Sequence, residues 1–98
     1  MKTYCLDLDG TLCFTEGMDY ANAKPRNDVI AKVNRLYDEG HRIIIETARG
    51  SGTGENWTAA THDQLIRWRV QYHELRCGVK VVADVYVDDR GVNVEDWI

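Results

Sequence analysis

Positions 4–12 of the chain read YCLDLDGTL, an apolar run followed by two carboxylates one residue apart and a glycine. The apolar residues at 4–6 predict a buried strand that gives way to a turn at Gly10. Asp7 and Asp9 bring two like charges to the end of this strand, where a cation would offset their repulsion. Hard carboxylate oxygens are ligands that Mg²⁺ prefers. The stretch therefore predicts a strand end that binds Mg²⁺ and carries reactive carboxylates.

Length and composition limit what the chain can be. It has 98 residues and a formal net charge of −4, which predicts one small domain over residues 1–98. The acidic excess argues against binding nucleic acid through a broad basic surface, although a local phosphate site is compatible with it. Three cysteines without the close pairs of a zinc site, no secretory segment before Asp7 and no apolar run of membrane-spanning length predict a cytoplasmic protein without a membrane partner.

Two segments after the first strand show the periodicity of an α/β protein. Residues 13–24 are polar and small, without a sustained period, and they predict a loop or flap. Apolar residues at helical spacing over positions 29–37, followed by Gly40, predict an amphipathic helix. Ile43, Ile44 and Ile45 form a β-branched run, which predicts a parallel strand buried on both faces.

The second half of the chain repeats this order of strand and helix. A helix is predicted to begin near Thr58 or Thr61, because Thr61 and Gln64 fit a capping box. Short strands are predicted at 75–78 and at 85–87, the second of which ends in an acidic pair. Right-handed crossovers then predict a parallel sheet with helices on both faces and a ligand site at the carboxyl ends of the strands. We therefore expect an α/β, Rossmann-like fold.

Four short motifs resemble the signature of the haloacid dehalogenase-like (HAD) superfamily in the order in which they occur. The matching residues are Asp7, Asp9 and Thr11 of an Asp-x-Asp-x-Thr pattern, then Thr47, Lys80 and the pair Asp88-Asp89. A proline often follows the lysine in related chains, whereas Val81 stands here. The motifs span nearly the whole chain and leave no insertion long enough for a cap domain. The chain resembles small capless phosphatases of capsule and lipopolysaccharide biosynthesis and also the phosphatase domain of polynucleotide kinase-phosphatases.

This resemblance implies catalytic roles for four residues. Asp7 would be the nucleophile that forms an aspartyl-phosphate, and Asp9 would protonate the leaving alkoxide and later activate water. The Thr47 hydroxyl would hydrogen-bond a phosphate oxygen, although a threonine at a strand end often caps a turn instead. The Lys80 ammonium would neutralise both the phosphate and Asp7, with a solvated surface lysine as the alternative.

The resemblance also implies a Mg²⁺ site. The ion would be held by Asp7, by the backbone carbonyl of Asp9 and by the acidic pair. Asp89 is expected to be the direct ligand, with Asp88 as the partner that orients it. The ion would bridge Asp7 and the transferring phosphate.

Substrate contact is expected from Gly10 and Thr11 of the first motif and from two arginines that follow later motifs. The guanidinium groups of Arg49 and Arg90 match phosphate oxygens in shape and charge. A surface ion pair is the alternative role for each arginine.

Three functions are compatible with these residues. The leading hypothesis is a Mg²⁺-dependent phosphomonoester phosphatase that acts on a small phosphorylated metabolite such as a sugar phosphate. The second is a nucleotide or polynucleotide 3′-end phosphatase. The third is a non-catalytic or receiver-like phosphate-binding module, although receivers place the acidic pair before the accepting aspartate. An exposed sheet edge after Asp89 would favour a homo-oligomer.

Overall fold

Three parallel strands form the sheet that carries the site, in a computed structural model that describes residues 1–98. In chain order the elements are β1 (Thr3–Leu6), β2 (Cys13–Phe14), a 3₁₀ turn (Tyr20–Asn22), β3 (Lys24–Pro25), α1 (Asn27–Asp38), β4 (Arg42–Thr47), α2 (Thr58–Arg67), β5 (Glu74–Cys77) and α3 (Val94–Trp97). The sheet has the order β1-β4-β5. The predicted α/β, Rossmann-like fold with a parallel sheet is confirmed. No helix has both the length and the apolar character needed to cross a membrane.

Helix α1 follows the predicted pattern closely. Its buried residues are Val29, Ile30, Val33 and Leu36. The helix stops at a glycine because Gly40 has a φ of 93°, in the left-handed region that favours this residue. The backbone N–H of His41 donates to the carbonyl of Leu36 at 3.1 Å, and that of Gly40 donates to Tyr37 at 3.0 Å. These two bonds form a Schellman cap, so the predicted helix end is confirmed.

Both long helices lie on one face of the sheet. Ile43 and Ile45 are fully buried on the helix-covered face, whereas Ile44 on the other face is half-buried. Cys5 and Arg76 share that second face and are exposed. Because both crossovers step in the same direction across the order β1-β4-β5, right-handed connections place their helices on the same side. The expected helices on both faces, and the expected burial of β4 on both faces, are corrected accordingly.

Helix α2 begins differently from the predicted capping box. The side-chain oxygen of Asn56 accepts a hydrogen bond from the Thr58 N–H at 3.0 Å, in an Asx turn that leads into the helix. Thr61 and Gln64 lie within the helix and are buried. Their side chains contact Arg49 instead of capping the helix.

The strand predicted at 85–87 does not form. Residues 81–93 are exposed and irregular, and Val85 and Val87 keep 73% and 91% of their surface in contact with solvent. A short run becomes a strand only where a neighbouring strand takes up its backbone N–H and C=O groups. The segment 85–87 does not pair with the open outer edge of β1. A cavity of about 910 Å³ lies between β1 and this segment instead.

Residues 13–24, predicted as a loop or flap, are bounded by a small hairpin. β2 pairs with β3 in antiparallel fashion, and the turn that contains Tyr20 lies between them. The carbonyl of the fully buried Leu12 accepts a hydrogen bond from the Arg26 N–H at 2.8 Å. The ring of Tyr20 meets that of Trp57 edge to face at 5.0 Å. The loop is therefore anchored at its base and at its tip.

Candidate active site

Asp7 is presented by a tight turn at the carboxyl end of β1. The carbonyl of Leu8 accepts hydrogen bonds from the N–H groups of Thr11 and Leu12 at 3.1 and 2.9 Å. Leu8 and Leu12 are fully buried, and Gly10 adopts a φ of 85° that a side chain would disfavour. The buried leucines fix the turn, so that the half-buried carboxylate of Asp7 has a defined position.

Lys80 is the charge partner of Asp7. Its Nζ lies 3.4 Å from Asp7 Oδ2, and the two side chains are 23% and 35% exposed. The same ammonium lies 4.6 Å from the centroid of the Tyr86 ring, a cation–π contact. The hydroxyl of Ser51 donates to the Lys80 carbonyl at 3.0 Å. The lysine is therefore held between a carboxylate and an aromatic ring.

The structure brings several predicted residues together around one cavity. The members of the predicted site that line the 910 Å³ cavity are Asp7, Gly10, Thr11, Lys80, Asp88 and Arg90. They come from the first, third and fourth motifs. Asp9, Thr47, Arg49 and Asp89 are not among the lining residues.

Asp9 is engaged by Arg49. The Nε and Nη2 atoms of Arg49 donate to the two oxygens of Asp9 at 2.9 and 2.8 Å, and the Thr15 hydroxyl donates at 2.6 Å. Burial raises the pKa of Asp9, but the hydrogen bonds from Arg49 and Thr15 lower it by more, so this pKa lies below its usual value. The carboxylate form is favoured. The expected role of Asp9 as a general acid stays a prediction.

Arg49 is not available to a substrate in this structure. Its side chain is 2% exposed, and its Nη1 atom donates to Gln64 Oε1 at 2.8 Å and to the Thr61 hydroxyl at 3.3 Å. The guanidinium lies 4.7 Å from the centroid of the Tyr20 ring. This arginine holds Asp9, and its expected contact with a substrate phosphate stays a prediction. Its ion pair is buried rather than on the surface.

Thr47 caps the turn after β4. Its hydroxyl oxygen accepts from the Arg49 N–H at 3.2 Å, and its carbonyl accepts from the Gly78 N–H at 3.0 Å. The residue is 1% exposed. The contacts support the turn-capping alternative, and the expected contact of the Thr47 hydroxyl with a phosphate oxygen stays a prediction. Gly50, three residues after Thr47, has a φ of 89°, and a Cβ there would overlap the Glu55 carbonyl.

The two residues of the acidic pair differ in their contacts and in their position relative to the cavity. Asp88 lines the cavity, and its Oδ1 accepts from the N–H groups of Arg90, at 2.7 Å, and Gly91. These backbone hydrogen bonds lower the pKa of Asp88. Asp89 is 88% exposed and lies 3.8 Å from the Arg90 Nε. Asp88 rather than Asp89 therefore faces the cavity, and the expectation that Asp89 binds the metal directly stays a prediction.

The carboxylates do not close into a metal site in this arrangement. No three His, Cys, Asp or Glu side chains come together as potential metal ligands. The side-chain oxygens of Asp9 bind Arg49, which leaves Asp7 and Asp88 as the acidic residues on the cavity. Their oxygens are of the chemical type that suits Mg²⁺.

Several residues of the site were not identified from the sequence. Tyr86 contacts Lys80, Thr15 contacts Asp9, and Gln64 contacts Arg49. The sequence held one sign of the Gln64 contact, because Thr61 and Gln64 are polar residues three positions apart on the same side of a helix. A capping box has the same spacing, and only the burial of these two residues shows that they bind Arg49 instead.

Comparison with known proteins gives a relative of almost the same length. No family model and no curated protein matches the chain. A structural-genomics target from Vibrio cholerae is 31% identical and superposes with a TM-score of 0.86, over 99% of this chain and 87% of that one. A chain of the Pnkp1/Rnl/Hen1 complex is 24% identical with a TM-score of 0.61, over 85% of this chain and 30% of that one, and shares the fold alone. The chain therefore belongs to the same family as the Vibrio cholerae protein.

Proposed function

We propose that the chain is a phosphomonoester phosphatase of the HAD type that acts through a phosphorylated Asp7. The observation that carries this proposal is the ion pair between Asp7, at the carboxyl end of β1, and Lys80, both of which line the cavity beside this strand. Ligands of open α/β sheets bind at the carboxyl ends of the strands. A carboxylate next to a cation, open to a cavity, suits nucleophilic attack on a phosphate ester.

The chemistry assigned to these residues has two steps. An oxygen of Asp7 attacks phosphorus, and the bond from phosphorus to the ester oxygen breaks; that oxygen leaves with the electron pair and takes a proton from solvent. Water then attacks the aspartyl-phosphate and breaks its bond to Asp7, which releases inorganic phosphate. The Lys80 ammonium offsets negative charge on the phosphoryl oxygens in both steps. Asp9, which Arg49 holds as a carboxylate, suits the role of accepting the proton of that water.

Mg²⁺ is part of this proposal. Asp7 and Asp88 would hold the ion, because they are the carboxylates that share the cavity. When bound, a divalent cation neutralises charge on the phosphoryl group. The nucleophile Asp7, the Lys80 ammonium and the turn at Gly10 are present in the protein without the ion.

A sugar phosphate is the leading substrate class. The cavity is large enough for a small phosphorylated metabolite, and Gly10, Thr11 and Arg90 line it. A nucleotide or polynucleotide end is the second candidate, because the 92% exposed Arg90 leaves the rim open to a longer substrate. The fold shared with a chain of the Pnkp1/Rnl/Hen1 complex is a reason to include it in the assay.

The test is phosphate release from sugar phosphates, mononucleotides and a 3′-phosphorylated oligonucleotide, with and without Mg²⁺. We expect Mg²⁺-dependent turnover that falls at least about a thousandfold in Asp7→Asn, because the nucleophile is lost. Asp63→Asn is the matched control, since Asp63 is exposed on α2. It should retain full activity.

Two results would contradict the proposal. Turnover that survives Asp7→Asn would exclude this nucleophile. A folded wild-type protein that binds phosphate without releasing it from any substrate would favour a non-catalytic phosphate-binding module.

A further inference from the structure

We propose that Gln64 is a positioning residue that holds the Arg49 guanidinium against Asp9 and ties it to the loop at Tyr20. The catalytic part of this proposal rests on the proposed function, whereas the structural part can be measured without turnover. Gln64 is 3% exposed and does not line the 910 Å³ cavity. It therefore acts through other residues and does not touch the substrate.

Both ends of the Gln64 amide are used. Its Oε1 accepts from Arg49 Nη1 at 2.8 Å, and its Nε2 donates to the Tyr20 carbonyl at 2.8 Å. The guanidinium offers only donors and the carbonyl only an acceptor, so one orientation of the amide satisfies both partners. A neutral side chain with an acceptor and a donor on one carbon is suited to join them.

Hydrogen bonds on all three of its nitrogens hold the Arg49 guanidinium in place. The side chain is 2% exposed, and a second cavity of about 170 Å³ borders Tyr20, Arg49 and Gln64. Two of its nitrogens bind Asp9, and the third binds Gln64 and Thr61. The Gln64 contact is the shorter of the two contacts on that third nitrogen, at 2.8 Å against 3.3 Å. Removing it frees the guanidinium to turn away from Asp9.

The loop enters the same network at Tyr20. Its carbonyl meets Gln64, and its ring covers the guanidinium at 4.7 Å. Hydrogen bonds thus connect Tyr20 to Gln64, Gln64 to Arg49 and Arg49 to Asp9. The position of the loop is thereby linked to the carboxylate that the proposed mechanism uses as a base.

The first experiment measures hydrogen exchange by NMR in the full chain. We compare the Nε–H of Arg49, assigned with Arg49→Lys, in wild type and in Gln64→Met. We expect exchange at least about tenfold faster in Gln64→Met, because one charge-assisted hydrogen bond is lost. The N–H of Ala23, which donates to the Tyr20 carbonyl at 3.2 Å, reports on the loop and should also exchange faster. Gln71→Met is the matched control, since Gln71 bonds Asp38 on the surface.

The second experiment measures kcat and KM on p-nitrophenyl phosphate with Mg²⁺. In Gln64→Met we expect kcat to fall about tenfold while KM stays within about twofold, because Asp9 is displaced but the cavity is unchanged. Gln71→Met should leave both constants unchanged. A kcat that is unchanged in Gln64→Met would overturn the catalytic part.

The exchange data decide the structural part alone. Unchanged exchange at Arg49 in a folded Gln64→Met protein overturns the link to Asp9, and unchanged exchange at Ala23 overturns the link to the loop. If Gln64→Met does not fold, Gln64→Asn replaces it, because an amide one methylene shorter cannot span both partners. If wild type shows no turnover, the proposed function fails, and the exchange at Arg49 still decides the role of Gln64.

Discussion

Replacing Arg49 with methionine tests the interaction that organises the interior of the site. The side chain is 2% exposed and donates to Asp9 through two nitrogens. Removing one partner of a buried ion pair costs about 3–5 kcal/mol, because the other charge remains desolvated. Asp9 is 25% exposed and keeps part of its hydration, so we expect the lower end, about 3 kcal/mol.

One further contact adds to this loss. Gln64 Oε1 loses its donor in Arg49→Met, which costs about 1 kcal/mol for a buried acceptor. The expected total is therefore about 3–4 kcal/mol, against a stability of about 5–15 kcal/mol for a domain of this size. The variant should remain folded, with a melting temperature about 15 °C lower than that of wild type.

The assay is urea denaturation followed by tryptophan fluorescence. Arg90→Met is the control, because Arg90 and its partner Asp89 are 92% and 88% exposed, and its unfolding midpoint should match that of wild type. Arg49→Lys keeps the charge but not the paired donors, and it should fall between the two. A loss below about 1 kcal/mol in Arg49→Met would refute the reasoning, because it would show that the buried pair contributes no more than a surface pair.

Three further predictions concern the turns and the titration of the site. Gly50→Ala should lower the free energy of unfolding by at least about 2 kcal/mol, because φ is 89° and a Cβ has no room. Gly52→Ala should change it little, because a Cβ there meets no atom. The urea midpoints of the two variants check this prediction. Burial raises the pKa of Asp9, but the hydrogen bonds from Arg49 and Thr15 lower it by more, to below the unfolded value of 3.8. The stabilisation from Asp9 is therefore present above pH 3.8 and disappears as the pH falls through the folded pKa. Wild type should accordingly lose more stability than Asp9→Asn between about pH 5 and pH 3, and parallel curves would contradict this. Arg69 has a φ of 60°, so Arg69→Gly should raise the free energy of unfolding by about 0.5–1 kcal/mol, and a lower melting temperature would contradict that expectation.

The elements that the sequence predicted well depend on local patterns. Helix α1 follows from apolar residues at helical spacing, and its end follows from Gly40. The first strand and its acidic turn follow from an apolar run that ends at Asp7. Each of these features lies within a few residues of chain, so neighbouring residues determine it.

The features that the sequence did not predict depend on distant partners. Arg49 and Asp9 are 40 positions apart, and Gln64 and Tyr20 are 44 apart. Nothing local distinguishes a buried arginine from an exposed one, and the choice depends on which carboxylate the fold brings near it. The segment 85–87 has the apolar pattern of a strand, but a strand forms only where its backbone pairs with a neighbour, and a cavity separates this segment from β1.

The sequence by itself determined the α/β class, the acidic turn at Asp7 and the order of the motifs, because periodicity and turn chemistry depend on residues that are close together along the chain. The motif resemblance also indicated that Lys80 pairs with Asp7, as the structure shows. Only the tertiary structure decided that Arg49 binds Asp9 and that Asp88 rather than Asp89 lines the cavity. The physical reason is that charge pairing and burial depend on distances in space, which the connections between strands set and which separation along the chain does not reveal.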